Sequence, residues 1–162
     1  TLIERGPRGR VQSVDWSALL RRWAADAPLD SRGESRPYLD PRGLSSVLDR
    51  LGSSAIHYAV TGSLVAARLA PVASPRLATI YVDDLEQAAG ALGLREAPSG
   101  ANVLLIRPAD DGVYQRSCEV GNLTCVAASQ AAADLLTSPG RGPAEGEALL
   151  EWMGLHPDAW RG

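Results

Sequence analysis

The chain contains no lysine and no phenylalanine, and only one methionine, two histidines and two cysteines among 162 residues. All 16 basic residues are therefore arginine. With the abundant Ala and Gly, this bias points to a GC-rich coding sequence and says little about chemistry. Two cysteines make no zinc site by themselves, because zinc takes four ligands and neither histidine lies near Cys118 or Cys125. The histidines, His57 and His156, are far apart in the chain, and no Ser or Cys sits in a nucleophile motif such as Gly-x-Ser-x-Gly. No hydrolase constellation is legible, and His57, at the mouth of a strand, reads as structural. No apolar run approaches the length of a membrane span, and the first residues lack a signal-peptide pattern. The expectation is a cytoplasmic protein with no membrane partner. There is no internal repeat. The chain opens on Thr1 rather than Met, which suggests a piece of a longer protein.

What is present is ordinary for a globular chain: 45% apolar and 22% charged residues, enough for one sizeable core and a small appendage. The charge is uneven. Residues 1–22 hold Arg5, Arg8, Arg10, Arg21 and Arg22 against Glu4 and Asp15, a net +3 in a chain of formal net charge −3, so the remainder carries −6. A basic segment on an acidic body fits an arm that touches polyanions, and equally a solvated surface segment.

Residues 2–14 form two short apolar-polar stretches around Gly6-Pro7-Arg8-Gly9, a pattern that predicts a β-hairpin with Arg8 at its tip and Arg5 and Arg10 at its base. Such a tip suits a wing reaching a DNA backbone, and also a plain hairpin with solvated arginines. Asp15 caps a helix whose buried stripe is Trp16, Leu19, Leu20, Trp23 and Ala24, with both Trp read as core. Residues 26–36 are polar with Gly and Pro, which predicts a linker, the best boundary in the chain. Asp40-Pro41 is a helix start, with Leu44, Val47, Leu48 and Leu51 facing inward and Gly52 ending the helix. A strand over 56–61, a helix from Gly62-Ser63, a turn over 71–75 and a strand over 77–82 follow as a βαβ unit around which the body is organised. Asp83 or Asp84 caps the next helix, and 101–106 is a buried strand. Gly121-Asn122 makes a hairpin turn that sets Cys118 opposite Cys125, read as free thiols that a disulfide could bridge. Ser129 caps a helix to Leu136, Pro143 starts a last helix with Glu145 and Glu147 in its first turn, and 154–162 is a loose tail. The fold class is α/β with a mixed sheet and flanking helices.

The blocks YAVTGSLVAARLAPVASPRLATIYVDD, GANVLLIRPAD and SPGRGPAEGEALLEWM, with VDWSALLRRWA near the start, resemble the actinobacterial type of AbiEi-like antitoxins, transcriptional regulators of type IV toxin–antitoxin systems. The resemblance covers about 2–153. It implies that 1–30 is the remnant of a winged helix-turn-helix, with the recognition helix ahead of Thr1, and that 37–153 is an effector or antitoxin domain. Partners would be DNA, through phosphate contacts from Arg5, Arg8 and Arg10, and a partner toxin.

The central unit also resembles the core of a minimal nucleotidyltransferase, in which Gly-Ser at a helix start holds triphosphate and strand carboxylates hold two metal ions. Here the second strand bears no acid. Asp83 and Asp84 are adjacent, so on a strand they point to opposite faces. Thr61, Gly62, Ser63, Asp83 and Asp84 thus read as a vestigial nucleotide pocket, with no metal and no cofactor expected. The alternatives are an active metal-dependent nucleotidyltransferase and a protein-interaction module without DNA contact.

Overall fold

The computed structural model describes residues 2–161. Strands β1 (Ile3–Arg5) and β2 (Val11–Val14) form the antiparallel N-terminal hairpin, followed by helix α1 (Trp16–Asp26). The body contains β3 (Gly33–Leu39), α2 (Leu44–Gly52), β4 (Tyr58–Thr61), α3 (Ser63–Leu69), β5 (Ala78–Val82) and α4 (Leu85–Leu92). It continues with β6 (Arg95–Glu96), β7 (Val103–Pro108), β8 (Cys118–Val120), β9 (Leu123–Cys125), α5 (Ala128–Leu136) and α6 (Gly142–Leu155). Seven strands make one mixed sheet in the order β6-β3-β7-β5-β4-β9-β8, which bears out the predicted α/β class.

Every residue of β4 and β5 is buried, so both faces of the sheet are covered. Helices α2 and α4, joined by a hydrogen bond from the Arg50 guanidinium to the Leu92 carbonyl, make one layer. Helices α3, α5 and α6 pack on one another to make the other, with α1 outside against α5. Gly146 lets α6 approach closely: a Cβ there would lie 3.0 Å from the Leu136 backbone nitrogen.

The predicted βαβ unit differs in its pairing. Strand β4 runs antiparallel to β5, Tyr58 opposite Val82 and Thr61 opposite Thr79, and β5 is parallel to β7 instead. Both strands are also shorter than the apolar runs implied, beginning at Tyr58 and Ala78. The expected linker over 26–36 is largely structured. Leu29–Ser31 is a 3-10 turn whose Leu29 enters the core, and β3 begins at Gly33, paired along its length with β7. Its polar side chains had suggested a loop. They are tolerated because only the two-residue β6 lies outside β3, so charged groups at Glu34 and Arg36 reach solvent and pair with each other.

Three helix starts also move. Asp40 does not cap α2, which starts at Leu44. Its buried carboxylate turns inward to pair with the Arg50 guanidinium and to accept from the Arg42 N–H at 2.9 Å. Ser129 lies inside α5, whose N-cap is Ala127 with no side-chain cap. The last helix begins one residue early, at Gly142. The tail is less loose than its composition suggested. Helix α6 runs to Leu155, and the Trp160 indole donates to the Met153 carbonyl at 2.7 Å while its ring lies 4.9 Å from that of Trp16. Trp23, read as core, is 37% exposed and stacks against Arg32.

Candidate functional site

Thr61 ends β4, and the chain turns through Gly62 at φ 69°, ψ −142°, a conformation that side chains other than glycine's strain to reach. Helix α3 follows directly. Its first residue, Ser63, donates its hydroxyl to the carboxylate of Glu145, which α6 buries to 4% exposure. The corner opens on a cavity of about 210 Å³ walled by Gly62, Ser63, Leu77, Thr79, Arg141 and Glu145. The antiparallel pairing puts the start of β5, not its end, beside Gly62. The residues facing the corner there are therefore Leu77, just ahead of β5, and Thr79 on it, neither of them an acid. The carboxylate that does reach it comes from α6 and is held by Ser63.

Asp83 and Asp84 lie at the other end of β5 and do two separate jobs. Asp84 caps α4, accepting from the Gln87 N–H at 2.8 Å. Asp83 lies 2.9 Å from His57 Nδ1 and accepts from the Tyr114 hydroxyl at 3.1 Å, while the His57 and Tyr114 rings sit 4.3 Å apart. Burial, followed by the charge of Asp83, pushes the Tyr114 hydroxyl above the usual phenol range. Among the described residues, no group of three or more His, Cys, Asp and Glu side chains converges as metal ligands. The five residues expected as one pocket are thus divided among three places: Asp83 and Asp84 at one end of the sheet, Gly62 and Ser63 at the other, and Thr61 turned inward.

Thr61 belongs to a buried network that sequence reasoning missed. Its hydroxyl donates to Asp134 Oδ2 at 2.7 Å, the Tyr81 hydroxyl donates to the same oxygen at 2.9 Å, and the Gln130 amide donates to Oδ1 at 2.9 Å. Arg32 Nε lies 3.2 Å from Oδ1. Burial raises the Asp134 pKa above the ordinary carboxylate range, and the hydrogen bond from Thr61, the Arg32 charge and the other two donors pull against that shift. Burial likewise drives Tyr81 well above the usual phenol range, with Asp134 adding to the shift. A signal was present in ASQAAADLL: Gln130 and Asp134 stand four apart in an otherwise small, apolar helix, on the same face.

The three hairpin arginines lie where they were expected. Every described residue of the hairpin from Leu2 to Val14 is exposed, save for the partly covered Gly6. Arg8 sits at the tip in the left-handed region at φ 65°, and Arg5 donates to the Gly9 carbonyl at 3.2 Å, which folds it over the turn. The hairpin's own bonds hold Arg5 against the turn and leave Arg8 and Arg10 outward.

No protein-family model, curated protein or solved structure matches this chain.

Proposed function

We propose that the chain is the effector body of a DNA-binding antitoxin or transcriptional regulator of the type IV toxin–antitoxin kind, without catalysis of its own. The observation that carries the non-catalytic half is the dispersal of the nucleotidyltransferase-like residues. Ser63 gives its hydroxyl to an internal carboxylate, Glu145, and Asp83 and Asp84 lie beyond the far end of β5. Arg76 and Arg141 also line that corner, so what it lacks for the reaction is the acid pair: no two carboxylates are at hand there to recruit a cation.

The DNA half is supported by the exposed basic hairpin on an acidic body. Phosphate contacts from Arg5, Arg8 and Arg10 add affinity without specifying sequence. Sequence reading would fall to a recognition helix, which the antitoxin resemblance implies ahead of Thr1, and a partner toxin would meet the body.

Fluorescence anisotropy on a labelled duplex across a salt series tests the DNA half. The expected result is weak binding indifferent to sequence. The slope of log K against log salt should become shallower by roughly 0.9 for each phosphate that the Arg5→Ala, Arg8→Ala, Arg10→Ala triple variant no longer neutralises. Binding that the triple variant leaves unchanged would sink this half. Calorimetry with magnesium and each nucleoside triphosphate tests the other. No heat is expected, whereas magnesium-dependent nucleotide labelling of RNA or protein would establish the enzyme instead.

A further inference from the structure

Arg141 is the N-cap of α6 and Glu145 stands one turn on, its N–H bonded to the Arg141 carbonyl at 3.0 Å. Side chains four apart share a face, and both of these line the 210 Å³ cavity beside Gly62. Opposite in charge, they form no ion pair with each other. We propose that this corner binds a small zwitterion, an apolar α-amino acid, with its ammonium on Glu145 and its carboxylate held by Arg141 and Arg76.

Glu145 is the first reason. It is 4% exposed, and the Ser63 hydroxyl, donating to Oε2, is its one hydrogen-bond partner among the described residues. Oε1 accepts nothing. Among the described residues, the buried side-chain polar atoms sealed off without a partner are both on Arg32, so Glu145 Oε1 opens onto the cavity. A buried carboxylate served by one neutral donor carries a desolvation penalty that a cation beside it would offset.

Thr79 is the second reason and comes from a different element, β5. It is 7% exposed, its hydroxyl makes no hydrogen bond among the described residues, and it too borders the cavity unsealed. The missing side chain of Gly62 leaves that hydroxyl uncovered: a Cβ there would lie 3.6 Å from Thr79 Oγ1. An ammonium has three N–H donors. The corner offers it Glu145 Oε1, Thr79 Oγ1 and the lone pairs of the Ser63 hydroxyl, whose proton is given to Glu145.

The opposite charge comes from Arg76 and Arg141, both exposed and neither in an ion pair among the described residues. Arg141 makes one long hydrogen bond, to the Ser74 carbonyl at 3.4 Å. Two guanidiniums and one carboxylate suit a ligand bearing both signs. An amine alone would leave the guanidiniums without an anion, and a polyanion would meet Glu145. Leu29, Leu104 and Leu135 also line the cavity and suit an aliphatic side chain. Its volume lies below the roughly 300 Å³ at which pockets for drug-sized ligands begin, which fits a molecule of amino-acid size.

Calorimetric titration of the whole chain with alanine, valine and leucine tests the inference. Each is run beside the amine that lacks its carboxylate and the acid that lacks its ammonium. At least one amino acid is expected to bind about tenfold or more tighter than both of its halves, the worth of one charge-assisted hydrogen bond. Glu145→Gln, which can still accept from Ser63, is expected to weaken that binding about tenfold or more. The paired change Arg76→Ala with Arg141→Ala, confined to exposed side chains, is expected to do the same, and it decides the matter if Glu145→Gln fails to fold. No heat from any of the three, an amino acid that binds no better than its amine or its acid, or binding unmoved by either change of charge would overturn the proposal. Glu145 would then be an internal cap for Ser63, with water filling the corner.

Discussion

Asp134 gathers most of the polar chemistry of the interior, with three hydrogen bonds and a guanidinium 3.2 Å away on a fully buried carboxylate. Truncating it strands Arg32 as an unpaired buried charge. Asp134→Ala is expected to lower unfolding stability by about 3–5 kcal/mol, read from urea denaturation. Its titration gives a second reading with a definite sign. Burial raises its folded pKa above the unfolded value, so the folded state holds the proton to higher pH than the unfolded state does. The stability this group contributes is therefore full below the ordinary carboxylate range and declines as pH rises through the folded pKa. Asp134→Asn should flatten that part of the stability–pH curve. An unchanged curve would mean that the hydrogen bonds and Arg32 together cancel the effect of burial.

Among the elements, the β8–β9 hairpin matched its sequence reading residue for residue. Cys118 pairs with Cys125, Glu119 with Thr124 and Val120 with Leu123. Gly121 at φ 68° supplies the left-handed residue that a two-residue turn requires. Both thiols are free, Cys118 exposed and Cys125 buried, with burial raising the Cys125 pKa. A disulfide reagent such as dithionitrobenzoate should therefore titrate one thiol in the native protein and two in denaturant. Two fast native thiols would contradict the buried position of Cys125. Strand β3 carries a steric requirement that composition did not announce. A Cβ on Gly33 would lie 2.0 Å from the Arg107 carbonyl oxygen, a backbone atom that cannot swing aside. Gly33→Ala is expected to cost about 3 kcal/mol by urea denaturation, as overpacking against fixed atoms does.

At the scale of the whole molecule, the hairpin and the seven-stranded body are built on different terms. The hairpin's strands pair only with each other, and none of its described residues is buried. The body closes over a core that includes Val47, Leu51, Ile80, Tyr81, Leu105, Leu149 and Met153. Deleting residues 1–13 should leave the thermal midpoint of the body within about a degree, because the deletion takes no buried side chain from the core. A fall of many degrees would mean that the hairpin braces the body. The Arg21–Glu147 pair, with contacts of 3.0 and 2.6 Å, ties α1 to α6 and leaves that helix in place when the hairpin is gone.

The sequence by itself determined the local pieces: the hairpin with Arg8 at its tip, a cap at Asp83 or Asp84, the glycine corner at Gly62 and the cysteine register. Each of these follows from backbone preference and side-chain period over a few residues, whereas the local cap at Asp40 gave way to its pairing with Arg50. Which pieces meet was decided only in three dimensions. The antiparallel pairing of β4 with β5 sent Asp83 and Gly62 to opposite ends of the sheet. Asp134 reaches across 73 residues to Thr61, and Glu145 across 82 to Ser63. Polar composition hid β3 and Arg32, because a charged side chain in a linker and one buried against Trp23 read alike until the layers close. Strand direction and buried polar pairing are settled by packing the whole core at once, and so the site belongs to the tertiary structure.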